Sequence, residues 1–164
     1  MSKTTFEVKN GVAIILLNDP DHLNPLDQAT DIELLNHLTY CEQSPEVKVV
    51  VLGGAGRSFS AGGDMRFFKK QLDDQNYAGL DELATHVNRV MLQIRKMKKL
   101  VIAAVQGYAV GGGANLALAS GFHAYKKTGR FPSLRWNHVL FILYVCSLLF
   151  TDTCGRRLQF YQRG

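Results

Sequence analysis

The sequence lacks the patterns that most directly reveal a metal or nucleotide site. Its three cysteines, Cys41, Cys146 and Cys154, are scattered and show neither a disulfide framework nor metal-ligand spacing. No two of its five histidines have HExxH spacing, so we expect no metal. Neither GxGxxG nor the P-loop pattern GxxxxGK followed by Ser or Thr occurs, which disfavours a nucleotide-binding site of either kind.

Apolar runs of membrane-spanning length are also lacking. Residues 139–150 are nearly all apolar, but a helix that crosses a bilayer needs about 18–20 such residues. The first five residues begin no apolar signal core. With 46% hydrophobic and 20% charged residues, the composition is that of an ordinary globular protein. Because scattered cysteines are typical of reduced thiols, we expect a cytoplasmic protein. Because the apolar run is too short, we expect no membrane span.

Charge is unevenly distributed along the chain. Residues 121–164 hold seven Lys and Arg but a single acid, Asp152, whereas residues 1–120 hold twelve bases and thirteen acids. This difference predicts a near-neutral domain at 1–120 followed by an atypical basic and apolar tail at 121–164. A nucleic-acid-binding surface would cluster its bases on one face, so no nucleic-acid partner is predicted for the domain.

Strand and helix patterns alternate within residues 1–120. Apolar runs at 12–17, 47–52 and 100–105 predict buried strands, and the pair Asn10-Gly11 predicts a hairpin turn before the first run. Residues 27–41 and 81–98 place apolar side chains at helical spacing, and a further helix is expected from Asn115. The alternation predicts an α/β fold with largely parallel strands.

Two glycine-rich segments each follow a predicted strand and precede a predicted helix. They are residues 58–65, SFSAGGDM, and residues 107–115, GYAVGGGAN. Ligands bind α/β sheets at the carboxyl ends of the strands, and amides at a helix start favour negative charge. Two such loops side by side could direct two N–H donors at one oxygen, which is an oxyanion hole suited to a thioester carbonyl. The alternative, from composition alone, is a tight turn in each loop.

Three stretches of the chain, in order and spacing, resemble the crotonase (enoyl-CoA hydratase/isomerase) superfamily. They are VAIILLNDPDHLNPL at 12–26, RSFSAGGD at 57–64 and LVIAAVQGYAVGGGANLALA at 100–119. The resemblance covers about residues 6–120. It implies the fold of that family, a repeated ββα spiral, here truncated, which usually assembles into homotrimers. It also implies an acyl-CoA thioester as the ligand, with coenzyme A entering as part of the substrate and no separate cofactor.

The resemblance also implies roles for individual residues. Gly63 and Gly112 match the two positions whose amides form the oxyanion hole of the family. Two segments match those that contact coenzyme A and line its adenine and pantetheine path; their predicted binding residues are Leu23, Pro25, Leu26, Ser60, Ala61, Gly62, Asp64 and Met65. For Asp64 the alternative is a helix N-cap, and both roles can hold together.

Asn115 departs from the hydratases of the family, which carry a glutamate at this position. A hydratase needs two carboxylates, because one deprotonates a water molecule while the other donates a proton. Asparagine exchanges no proton near neutral pH, although it can hold a water or a carbonyl group by hydrogen bonding. Asn115 is therefore a predicted catalytic-site residue that suits a Δ3,Δ2-enoyl-CoA isomerase better than a hydratase. The alternative is that it caps the following helix.

The family pattern stops after Ser120, and no glutamate follows Glu82. The segment that would bring the second catalytic acid is thus not recognised, and a reading-frame change or abnormal splice near residues 120–130 is one hypothesis for the tail. The loss of family segments also puts trimer assembly in doubt. Two functions stay open: isomerase- or hydratase-type chemistry of fatty-acid metabolism, or an inactive remnant that binds coenzyme A weakly or not at all.

Overall fold

The computed structural model describes the backbone of residues 2–125 and the side chains of residues 2–121. The predictions for residues 126–164, which include the apolar run and the frame-change hypothesis, lie outside the described residues. No helix in the described part is long and apolar enough to cross a membrane.

The described chain alternates strands and helices. Its elements in chain order are β1 (Thr4–Lys9), β2 (Val12–Leu17), β3 (Pro25–Leu26), α1 (Gln28–Gln43), β4 (Val49–Gly54), β5 (Gly62–Gly63), α2 (Met65–Asp73), α3 (Tyr77–Lys96), β6 (Leu100–Val105), α4 (Gly112–Ala119) and β7 (Phe122–Tyr125). A short 3₁₀ turn, Pro20–His22, precedes β3. The α/β class predicted from the sequence is confirmed.

Five strands of the described residues form one sheet in the order β1-β2-β4-β6-β7. Strands β1 and β2 are antiparallel, and every later pair is parallel. Asn10 and Gly11 join the first two strands with φ values of 52° and 81°. Positive φ at both central residues is what a type I′ hairpin requires, which confirms the predicted turn.

One face of this sheet is buried under helices. Alternate residues of the strands, such as Ile15, Val50 and Ala103, are fully buried and share one core with Leu34 of α1 and Val90 of α3. The residues between them are only half-buried. The apolar runs suggested strands buried throughout, whereas the structure buries one face completely and the other in part.

Side-chain caps set where the first and third helices begin. Asp27 accepts a hydrogen bond from the Thr30 amide at 2.8 Å, and α1 starts directly after it. Asn76 accepts one from the Gly79 amide at 3.3 Å, so α3 begins at Tyr77 rather than at the predicted residue 81. Helix α4 begins at Gly112, ahead of the predicted Asn115.

Strand β7 extends the sheet beyond residue 120. It pairs in parallel with β6, and Phe122 lies opposite Ile102. The regular fold therefore continues past the point at which the resemblance found in the sequence stops.

Candidate functional site

The two glycine-rich loops lie side by side. The amide of Ser60 donates to the Tyr108 carbonyl at 3.1 Å, and the amide of Val110 donates back to the Ser60 carbonyl at 3.0 Å. These bonds make a parallel bridge between Ser60 and Ala109. Backbone pairing thus holds together the loops that follow strands β4 and β6, at the edge where α/β sheets bind ligands.

The two loops also approach each other closely at Gly62 and Gly112. A methyl group added to Gly62 would lie 2.6 Å from the Val110 carbonyl oxygen and 3.1 Å from the Gly112 nitrogen. Gly62 also has a φ of 88°, which disfavours any larger residue. A methyl group on Gly63 would lie 2.4 Å from the Phe68 ring. This crowding explains why glycine occupies positions 62 and 63. Gly63 directly follows Gly62, whose backbone lies close to Gly112.

Gly112 is the first residue of α4, so its amide has no carbonyl one turn earlier in the helix. The capping position, Gly111, has no side chain and makes no side-chain cap bond. In contrast, the amide of Gly62 already donates to the Ser60 hydroxyl at 3.1 Å. The N-terminus of α4 at Gly112 therefore carries partial positive charge. The capping residue, Gly111, has no side chain that could offset this charge.

Asn24 is a residue that sequence reasoning overlooked. It is 1% exposed, and its side-chain amide donates to the carbonyls of Ala55, Ser58 and Phe59 at 2.9, 2.9 and 3.2 Å. Its side-chain oxygen accepts from the Asp19 amide at 2.9 Å. One buried asparagine thus joins the 22–26 segment to the chain that enters the first glycine loop.

Ser60 completes this connection. It is fully buried, and its hydroxyl donates to the Asn24 carbonyl at 2.8 Å while accepting from the Gly62 amide. A methyl group on Gly113 would lie 2.7 Å from the Ser60 side chain. Its hydroxyl is enclosed and engaged, and the place of Ser60 on the coenzyme A path stays a prediction. Through these bonds Ser60 supports the loops. We use the name loop junction for Asn24, Ser60 and the two glycine loops that these residues connect.

The predicted coenzyme A segments come together at a short second sheet. Strands β3 and β5 are parallel, with Pro25 opposite Gly62 and Leu26 opposite Gly63. The Ala61 amide donates to the Leu23 carbonyl at 2.9 Å. Pro25 and Leu26 are buried, so their side chains support the backbone rather than face solvent.

Asp64 and Met65, which follow Gly63, lie at the start of helix α2. Asp64 caps α2 by accepting from the Arg66 amide at 2.9 Å, so the cap alternative is observed. Met65 is 74% exposed. Of the predicted coenzyme A residues, Leu23, Ala61, Asp64 and Met65 therefore have side chains that reach the surface at least in part.

Asn115 lies within α4 and does not cap it. Its own amide donates to the Gly111 carbonyl at 3.1 Å as part of the helix start. Its half-buried side chain makes no hydrogen bond with the residues that the structure describes.

A cavity of about 420 Å³ adjoins the loop junction on the helical side. Its walls come from the first turn of α1, from α2 and from the first half of α3; the lining residues are Asp27, Gln28, Ala29, Asp64, Phe67, Gln71, Asn76, Gly79, Glu82, Leu83 and His86. No motif in the sequence pointed to it, because its residues come from three separate segments. Polar side chains contribute part of the wall, but most of the surface that the cavity exposes is apolar.

The carboxylates of the cavity differ in how they are held. Asp27 accepts from Thr30 and pairs with Lys3 at 3.0 Å. Burial raises the pKa of Asp27, but the bonds from Thr30 and Lys3 outweigh burial and hold the pKa below its ordinary value. Glu82 accepts from Gln28 at 3.2 Å and lies 3.8 Å from the His86 ring.

The most perturbed carboxyl does not line this cavity. Asp31 of α1 is 1% exposed, and its Oδ2 has no hydrogen-bond partner among the described residues. Burial, with a smaller contribution from the charge of Asp27, raises the pKa of Asp31 to about 7. The raised pKa of Asp31 affects the stability of the protein rather than the chemistry of the site.

Comparison with known proteins identifies the family. Residues 7–134 match the model of the enoyl-CoA hydratase/isomerase family. The (E)-benzylidenesuccinyl-CoA hydratase of Thauera aromatica is 36% identical over 130 residues, which are 77% of this chain and 48% of the relative. The crotonyl-CoA hydratase of Syntrophomonas wolfei is 31% identical over 128 residues, which are 76% and 47%. The chain spans about half the length of the curated relatives it matches.

A solved structure supports the same assignment. The crystal structure of an enoyl-CoA hydratase from Bacillus anthracis matches with a TM-score of 0.69 at 30% identity, over 75% of this chain and 47% of that one. The crotonase-like α/β fold implied by the sequence is thereby confirmed. The family match also runs to residue 134, beyond the resemblance found in the sequence. The chain belongs to the crotonase (enoyl-CoA hydratase/isomerase) family.

Proposed function

We propose that this chain binds an acyl-CoA thioester and that the amides of Gly63 and Gly112 hold its carbonyl oxygen. The observation that carries this proposal is the close approach of the two loops, with the Gly112 nitrogen 3.1 Å from a methyl group added to Gly62. Two amides at one oxygen stabilise the negative charge that develops when a thioester becomes an enolate. Coenzyme A enters as part of the substrate, and we propose no separate cofactor.

The chemistry we propose is of the isomerase type. A Δ3,Δ2 isomerisation removes a proton from C2, shifts the double bond from C3–C4 to C2–C3 and delivers a proton to C4. It needs one acid–base group, located elsewhere than at Asn115, which takes the proton from C2 and returns it to C4, whereas water addition needs two. Asn115 cannot exchange a proton, but its side-chain amide, one helical turn after Gly112, can orient the bound thioester by hydrogen bonding.

The coenzyme A moiety is proposed to run along the exposed edge formed by Leu23, Ala61, Asp64 and Met65. The parallel pairing of β3 with β5 keeps this edge next to Gly63. A cytoplasmic setting is part of the same proposal, and a homotrimer of the family type stays a prediction.

The second candidate function is binding without catalysis. Asn115 favours it, because this residue replaces the glutamate of the hydratases and supplies no proton. Absorbance assays with 2-enoyl-CoA and 3-enoyl-CoA distinguish the functions, since a hydratase consumes the former and an isomerase produces it from the latter. Binding in calorimetry without turnover of either thioester would identify the non-catalytic protein.

A pair of substitutions at Gly112 tests the oxyanion role directly. Gly112→Pro removes the amide hydrogen at the first helical position, where proline is well tolerated. Gly112→Ala keeps the hydrogen and adds a methyl group 3.2 Å from Leu26. We expect the proline variant to lose about 100-fold in turnover, or several-fold in thioester affinity, while the alanine variant stays closer to the wild type. Equal behaviour of two folded variants, checked by circular dichroism, would contradict the proposal.

A further inference from the structure

The first residues of β2, β4 and β6 lie side by side at one end of the sheet. Val12 lies opposite Val49, and Val49 lies opposite Leu100. The Asn10-Gly11 turn leads into β2, and α1 and α3 end shortly before β4 and β6, so the last turns of both helices reach the same end. The two glycine loops follow β4 and β6, and this end is therefore the one opposite the loop junction.

Basic side chains gather at this end. It holds six of the twelve Lys and Arg residues in 1–120 but two of the thirteen acids, Glu42 and Glu46, with Glu7 two positions before Lys9 on β1. We call the six bases the basic end: Lys9 at the end of β1, Lys48 before β4, Arg95 and Lys96 in the last turn of α3, and Lys98 and Lys99 before β6. The fold thus separates charges that are nearly balanced over residues 1–120.

Five of these six bases have charges that the described residues leave unpaired. Lys99 is engaged, because its ammonium group donates to the carbonyls of Cys41 and Ser44 at the end of α1. A cation at that place offsets the negative partial charge of a helix C-terminus. The other five side chains are exposed and form no ion pair with a carboxylate of the described residues. Their positive charges are therefore available to an anionic partner.

Exposed apolar side chains lie next to these bases. Leu92, Leu100 and Tyr40 are 45%, 40% and 45% exposed. Leu92 lies one turn before the two bases at the end of α3 and shares their side of the helix. Leu100 is the first residue of β6, and Tyr40 lies in the last turn of α1, where its hydroxyl donates to Glu46 at 2.7 Å. The basic end therefore combines available positive charge with apolar surface.

We infer that the basic end docks on an anionic lipid bilayer as a peripheral contact. Lys and Arg are attracted to the negative surface of such a bilayer, and exposed Leu and Tyr side chains enter the boundary between headgroups and acyl chains. A nucleic acid would use the bases and stack on aromatic rings, but it would gain nothing from Leu92 and Leu100. The glycine loops lie at the opposite end, so this inference goes beyond the proposed function and does not depend on it.

Cosedimentation of the full chain with two kinds of vesicle tests the inference. One kind contains phosphatidylcholine alone, and the other contains about one-third phosphatidylglycerol. The five available bases less Glu42 and Glu46 leave three net charges, and each contributes about fivefold at an anionic surface. We therefore expect binding to the anionic vesicles to be about 100-fold tighter at low salt, and the difference to shrink in about 0.5 M salt, which screens exposed charges. Equal binding to both kinds, or none to the anionic kind, would overturn the inference.

The double substitution Lys48→Gln with Lys98→Gln assigns the contact to the basic end. Residues 121–164 also carry seven bases, so vesicle binding alone does not identify the surface. We expect the double variant to bind anionic vesicles about 25-fold more weakly than the wild type. Lys69→Gln with Lys70→Gln, at exposed positions of α2, removes the same charge and should leave binding unchanged. Equal losses in the two folded variants, checked by circular dichroism, would mean that net charge alone drives binding, and the inference would fall.

Leu92→Ser separates a bilayer from a nucleic acid as the partner. Serine keeps every charge but removes the apolar side chain, so binding to anionic vesicles should weaken several-fold while binding to a polyuridylate oligonucleotide stays the same. Leu72→Ser, at a 53% exposed position of α2, is the matched control and should change neither. If the oligonucleotide displaces the protein from the vesicles and Leu92→Ser leaves vesicle binding unchanged, the basic end is a nucleic-acid surface and the inference is wrong.

Discussion

The loop junction and the helical side of the fold treat buried polar groups differently. At the junction, Asn24 and Ser60 satisfy their side-chain groups with named partners, and the Ser58 hydroxyl is the exception. On the helical side, Asp31, Glu42 and His86 each bury an atom without a partner in the described part of the chain. The difference indicates that hydrogen bonding fixes the junction, while the helices tolerate unsatisfied groups around it.

A substitution at Asp31 tests this difference between the two regions with the largest expected effect on stability. Its pKa in the folded protein, about 7, lies above the ordinary 3.8, so the folded state holds the proton more tightly than the unfolded state. Its contribution to the free energy of unfolding is therefore fully present below pH 4, is lost as the pH rises to about 7, and stays lost above it. The shift corresponds to about 4 kcal/mol, which exceeds the roughly 1 kcal/mol by which a helix N-terminus favours a charge.

Urea unfolding at pH 4 and pH 8 measures this contribution. We expect Asp31→Asn to remove most of the pH-dependent loss, so that the variant gains on the wild type as the pH rises. Asp21→Asn, at an exposed position, controls for the loss of one negative charge. If the free energy of unfolding of Asp31→Asn changed with pH as that of the wild type does, Asp31 would not carry the pH dependence. The two regions would then differ less than their hydrogen bonds indicate.

Removing Asn24 tests the other region, with the next largest effect. Asn24→Ala leaves the carbonyls of Ala55, Ser58 and Phe59 without this donor in a buried place, and we expect a loss of about 3 kcal/mol in the free energy of unfolding. Asn18→Ala removes an exposed asparagine side chain and should cost less than about 0.5 kcal/mol. Comparable losses in urea unfolding would contradict the role given to Asn24.

Gly62→Ala is expected to have the smallest of these effects on stability, about 2 kcal/mol, through positive φ and contact with the Val110 carbonyl. Gly121→Ala, which has open space around the added methyl group, is the matched control. The measurement is thermal unfolding followed by thioester titration. A Gly62→Ala protein as stable as the control would mean that the two loops separate more easily than their spacing indicates.

Local patterns predicted the elements that depend on neighbouring residues. Strands β2 and β6 begin and end where their apolar runs do, and the Asn10-Gly11 turn needs only its own backbone conformation. The start of α3 was placed too late, because the capping role of Asn76 was not recognised. Asn24 could not be predicted as a support, because its side chain bonds carbonyls more than thirty positions away.

The cavity was unpredictable for a related reason. Its residues share no motif, and only the packing of α1, α2 and α3 brings them together. The two glycine loops were recognisable because each carries its own composition. Their mutual approach, in contrast, depends on the parallel order of β4 and β6 in the sheet.

The bridge between the two loops also links ligand binding to the folding of the sheet. Gln106 and Ser58, which are joined by a 3.2 Å bond at its base, are 48 positions apart in sequence. Contacts over such separations form only when much of the chain has organised. A thioester that spans both loops should therefore slow amide hydrogen exchange throughout β4 and β6, and at a concentration of 100 Kd it would add about 2.7 kcal/mol to the free energy of unfolding.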